Sequence, residues 1–92
     1  MIVRILTEGQ LKVPDSAIDE LNALDTKVLE TCQDKDEKAF REALDTLLAR
    51  VREIGEPIPL DQLVESDFVL PMADSTLDEV EAMMSDEGLI PG

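Results

Sequence analysis

The feature that most constrains the fold is a broad apolar stripe between residues 40 and 54. Phe40, Ala43, Leu44, Leu47, Leu48, Val51 and Ile54 recur at steps of three and four, the spacing of one helical face. That face is wide enough to bury against two neighbours, so the chain must supply cover for it from both sides. Arg50 and Arg52 fall in the last turns, where cations suit the negative end of the helix dipole. Gly55 is expected as the residue that ends the helix, and Pro57 prevents continuation. Upstream, Ile18, Leu21, Leu24, Val28 and Cys32 form a second helical stripe, with Asp19, Glu20, Asp25, Lys27 and Glu30 on the other faces. Asp15 or Ser16 is expected to cap this helix. Gln33 to Asp36 reads as a polar connection, with a capping-box pattern at Asp34 and Glu37. So short a link predicts an antiparallel helical hairpin.

The flanks supply the cover. Ile2 to Leu6 is rich in β-branched residues, Leu11-Lys12-Val13 alternates, and Gly9 lies between them, where it can take the positive-φ position of a tight turn. This predicts a β-hairpin with Leu11 and Val13 facing the core, closed by Pro14. Beyond Glu56, Pro57-Ile58-Pro59 reads as extended, Leu60 to Val64 as one short helical turn, and Phe68-Val69-Leu70 as a candidate third strand. Thr76 and Glu79 form a capping-box pattern ahead of a short third helix over residues 77–84. Of Met83 and Met84, one is expected to touch the core and the other to lie at its rim. Leu89-Ile90 is expected to dock. The expected class is α+β: an N-terminal β-hairpin packed on an antiparallel helical hairpin, then a C-terminal extended segment and a short third helix. At 92 residues this is one small acidic domain, 1–92.

Charge narrows the function. The chain carries 22 acidic and 8 basic side chains, a net −14, and residues 56–92 hold ten acids with no Lys or Arg. Phosphate backbones and anionic lipid surfaces would repel such a chain, so neither nucleic acid nor direct membrane binding is expected. No apolar run is long enough to span a bilayer, and the opening residues are too short for a signal-peptide core. The single cysteine fits a reducing cytoplasm.

Catalytic chemistry finds little support. There is no histidine, which removes Ser-His and Cys-His pairs and ordinary zinc sites. Cys32 lies on an apolar stripe and reads as a small, inert core residue. An EF-hand starting at Asp34 fails, because its sixth position is Ala39 and its twelfth is Asp45, inside a strong helix. No phosphate-binding glycine loop occurs. A paired-carboxylate site needs a cleft that a chain without Trp or Tyr is poorly equipped to build. The expectation is a protein that is not an enzyme and needs no cofactor or metal. What remains is a dense patch of Asp78, Glu79, Glu81, Asp86 and Glu87 beside Met83, read as a partner-binding surface.

Several stretches in order carry a resemblance. They are Met1-Ile2-Val3-Arg4-Ile5-Leu6 with Glu8-Gly9-Gln10, Leu21-Asn22, and Phe40 in its Ala- and Leu-rich helix. Asp67 to Pro71 and the ending Ser85-Asp86-Glu87-Gly88-Leu89-Ile90-Pro91-Gly92 complete the set. From start to finish the chain resembles the PspA-associated protein family, PspAA. The resemblance implies a cytoplasmic accessory to an envelope-stress system, brought to the inner face of the membrane by a helical, membrane-remodelling scaffold. An acidic module suits the basic surface of such a PspA-type coiled-coil partner by charge complementarity. Two alternatives stand beside it. One is a structural subunit that forms a homo-oligomer through the hairpin edge, burying Val3 and Ile5 between protomers. The other is a weak carboxylate cation binder.

Overall fold

The computed structural model of the chain describes residues 1–59, 61, 62, 64–84 and 89. In order they form β1 (Ile2–Ile5), β2 (Gly9–Lys12), a 3₁₀ turn (Asp15–Ala17), α1 (Ile18–Asp34) and α2 (Glu37–Ile54). Then come β3 (Glu56–Pro57), β4 (Phe68–Leu70) and α3 (Leu77–Met83). The strands make one mixed sheet in the order β3-β2-β1-β4. The two long helices pack against each other as a hairpin, and the class is α+β.

The β1–β2 turn places Thr7 at φ 72° and Gly9 at φ 107°, so the glycine stands where the backbone demands it. Phe68–Leu70 is a strand, running parallel to β1 with Val3 opposite Phe68 and Ile5 opposite Leu70. The Asp67 carboxylate fixes that register by accepting from the Ile2 N–H at 2.6 Å. This pairing corrects the expectation of an open hairpin edge. β1 lies inside the sheet, bonded to β2 on one side and β4 on the other, and Val3 and Ile5 are fully buried within the chain. They have no surface to offer a second protomer.

The α1 start also differs from expectation. Neither Asp15 nor Ser16 caps it; the chain enters through the 3₁₀ turn, and Ala17 precedes α1 without a side-chain cap. Asp15 instead accepts from the N-terminal amine of Met1 at 2.8 Å, which competes for its carboxylate. The connection between the helices is shorter than expected, because α1 runs through Asp34. Lys35 turns left-handed at φ 57°, and the Asp36 N–H reaches back to the Thr31 carbonyl at 3.2 Å. Asp36, not Asp34, caps α2, accepting from the Ala39 N–H at 3.1 Å.

Gly55 ends α2 by a different route from a left-handed turn. Its backbone is extended at φ −89° and ψ 151°. A Cβ there would lie 2.7 Å from the Val51 carbonyl oxygen of α2 itself and 3.0 Å from Leu11 Cβ on β2, so the close turn of the chain off its own helix end, with β2 packed beside it, requires glycine. The core gathers Val3, Ile5 and Val13 from the hairpin, Leu21, Val28 and Cys32 from α1, and Phe40, Leu44, Leu47, Leu48 and Val51 from α2. Phe68, Leu70, Leu77, Val80 and Leu89 close it. Leu11, Ile18, Leu24 and Ile54 pack partly buried at its margin. The helical turn expected over residues 60–64 falls on Leu60 and Leu63, outside the described residues.

Candidate functional site

The acidic surface read from the sequence is built on α3. Leu77 and Val80 bury one side of this short helix against the core and leave Asp78, Glu79, Glu81 and Met83 facing outward. Met84 packs partly buried against the core, while Met83 is 41% exposed. Asp86 and Glu87, the other two residues of the expected surface, lie outside the described residues, as does Ile90.

The three described carboxylates have different tasks. Glu79 is half of a capping box: its side chain accepts from the Thr76 N–H at 3.1 Å, and its own N–H donates to Thr76 Oγ1 at 3.2 Å. Glu81 pairs with Lys35 at 2.5 Å, tying α3 to the connection between α1 and α2. That partner raises the pKa of the Lys35 ammonium, with the charge of Asp78 adding in the same direction. Asp78 is exposed and has no ion pair among the described residues.

The loop ahead of α3 is held by α2. The Arg41 guanidinium donates to the Ala73 carbonyl and, at 2.7 Å, to the Ser75 carbonyl. It also stands 5.5 Å from the centre of the Phe40 ring, within reach of a cation–π contact. Arg41 therefore fixes the angle at which α3 presents its acids.

Leu89, beyond α3, is held by a residue whose polarity predicted an outer face. Asp25 is 2% exposed and accepts from the Leu89 N–H at 3.0 Å. Its position gives the reason. Asp25 follows Leu21 by four and precedes Val28 by three, so it lies on the buried stripe itself. Polarity argued against that placement; helical spacing was the signal that could have found it. Leu89 docks as expected, 8% exposed.

Cys32 is buried, and burial pushes its thiol pKa up, with the negative charge of Glu81 adding to the shift. Among the described residues no three His, Cys, Asp or Glu side chains converge as a metal site. The hairpin end carries a surface cleft of about 590 Å³, lined by Glu8, Gln10, Arg52 and Ile58 among others. Glu8 is its one described carboxylate, and it is ion-paired with Arg52. Among the described residues no helix is long and apolar enough to cross a membrane.

Comparison with known proteins gives one result. A family model described as PspA-Associated protein matches residues 1–92, the whole of this sequence. No curated protein and no solved structure gives a match.

Proposed function

The chain belongs to the PspA-associated protein family, and from that premise we propose that it is a non-enzymatic accessory that binds a PspA-type helical protein through the acidic face of α3. The observation that carries this reading is the placement of Asp78, Glu81 and Met83 outward on a helix anchored by Leu77 and Val80. Acids rim an exposed methionine there, in a stretch that holds ten acids and no base. Methionine adapts its shape to a partner, and the surrounding charge selects a basic surface and speeds encounter. A basic helical scaffold that otherwise engages anionic lipid would meet in α3 a competing surface of the same sign. The accessory acts in the cytoplasm and reaches the inner face of the membrane only through that scaffold.

The experiment is a salt series of binding to purified PspA, comparing the natural chain with one carrying Asp78→Asn, Glu79→Gln, Glu81→Gln, Asp86→Asn and Glu87→Gln. The Glu79→Gln exchange retains the capping oxygen. The neutralised chain is expected to associate more slowly and to show a flatter salt dependence. Equal affinity and equal salt slope in the two chains would remove α3 from the interface.

A further inference from the structure

Between them, α1 and α2 leave a groove of about 340 Å³ to which no strand contributes a lining residue. Leu24, Lys27 and Thr31 line it from α1, and Ala39, Glu42, Ala43 and Thr46 from α2. The two threonines do not make it polar. Thr31 Oγ1 donates to the Val28 carbonyl and Thr46 Oγ1 to the Glu42 carbonyl, each at 2.8 Å, so both hydroxyl protons are used within their own helices. The floor is therefore leucine, alanine and threonine carbon. Two charges stand on the walls: Lys27 on α1 and Glu42 on α2. Both are exposed, and neither has an ion pair among the described residues.

We infer that this groove takes the same groove of a second copy, forming a symmetric dimer whose interface is an antiparallel four-helix layer. The charges select the occupant. Counted from the Lys35–Asp36 connection, Lys27 lies eight residues back and Glu42 six residues on, so they stand at nearly the same level of the hairpin. A two-fold axis running along the groove lays α1 of each copy on α2 of the other. It sets Lys27 of each copy against Glu42 of the other, two pairs from one contact. A two-fold axis across the groove would lay like wall on like wall and make neither pair. Small residues at Ala39 and Ala43 let the backbones approach. With helices of 17 and 18 residues, the hairpin face is about 25 Å long and its footprint on the order of 500 Å² per copy. The total, about 1,000 Å², lies at the lower end of specific interfaces, which fits a reversible, concentration-dependent dimer. This inference is independent of the α3 reading: it uses no residue of α3 and needs no partner protein.

The test is sedimentation equilibrium of the full chain and three variants, with melting curves to confirm that each is folded. The natural chain is expected to shift from monomer mass toward dimer mass as concentration rises. Lys27→Glu alone turns both pairs into opposed carboxylates, and Glu42→Lys alone turns both into opposed ammonium groups. Each is expected to raise the dimer dissociation constant by about tenfold or more. The double exchange restores both pairs and should restore the dimer. An equimolar mixture of the two single variants should form a heterodimer with each charge matched. Monomer mass for the natural chain at every concentration overturns the inference, even if the chain binds a helical partner. Dimerisation that ignores both single charge reversals places the contact on another surface and overturns it equally.

Discussion

At the scale of single residues, side chains here are fixed by what approaches them more than by their type. Gly55 is the clearest instance, because the space for a Cβ is taken by a backbone oxygen, which cannot swing aside as a side chain would. Gly55→Ala should therefore cost about 1–3 kcal/mol, because the new Cβ meets the Val51 carbonyl of the last turn of α2 and the backbone leaving that helix must shift. A urea midpoint unchanged from the natural chain would show that the backbone at the end of α2 can shift without cost. Cys32 illustrates the same principle through chemistry. Packed in the core with Leu21 and Val28, its thiol pKa raised by burial, it exposes neither a surface nor a thiolate. Thiol reagents should label it slowly in the native protein and rapidly once denaturant is added; fast stoichiometric labelling without denaturant would contradict its place in the core. Asp25 is the residue that polarity misleads. Its carboxylate lies on the buried stripe of α1 and accepts a backbone N–H from Leu89, a donor 64 residues away in sequence. Spacing alone reported the stripe, and nothing local reported the donor.

At the scale of elements, legibility followed sequence distance. The helices were readable because their apolar periodicity is local: residues 40–54 fix the buried face of α2 within a few turns. The third helix was readable because Thr76 and Glu79 satisfy each other's backbone three residues apart. The sheet was only half readable. The hairpin is local, but β4 joins β1 in parallel across more than sixty residues, and β3 adds only two residues to β2. Pairings of that kind are set by the assembled core, which no short window contains. The helix starts failed for a related reason: Asp15 had a competing partner in the N-terminal amine, and Lys35 took a left-handed turn that shortened the connection. The acidic face was legible as composition, whereas Arg41 and Lys35, which position and tether it, are visible only in three dimensions. Two predictions belong to this scale. Phe40 is the largest fully buried side chain, so Phe40→Ala should remove about 3–5 kcal/mol. A chain of this size has roughly 5–10 kcal/mol in total, so the variant should melt far below the natural protein, and a loss of a few degrees would misplace the core. Seven residues are too few for a helix to persist unaided. Thr76→Ala should therefore cost about 1 kcal/mol and accelerate amide exchange across α3 while α2 stays protected.

At the scale of the whole molecule, two electrostatic effects oppose each other. The net charge of −14 repels itself and favours expansion. Against it stand ion pairs that join distant elements: Glu8 with Arg52, Glu20 with Arg50, and Asp15 with the N-terminal amine. Each lies at the surface, and surface pairs contribute little singly. Their value shows instead in how stability depends on pH. The Arg52 guanidinium holds the Glu8 carboxyl below the usual glutamate value of 4.5, chiefly by hydrogen bonding and against a smaller effect of burial. A carboxyl lowered in the folded state binds its proton more readily in the unfolded chain. Its contribution is therefore complete above 4.5 and is lost as pH falls through the lowered value. Acid also protonates the other carboxylates and relieves the self-repulsion, so the stability of the natural chain alone mixes two trends of opposite sign. Comparison with Arg52→Gln isolates the favourable part, because both chains carry the same acids and only one has the guanidinium that pairs with Glu8 and attracts Asp45. The difference between their unfolding free energies should be constant from neutral pH down to about 5, then shrink toward zero below about 4.5. Urea titrations of both chains across that range read it directly. A difference that keeps its full size at the acid end would mean that Arg52 stabilises the fold by packing its stem against the hairpin, not by holding the Glu8 carboxylate.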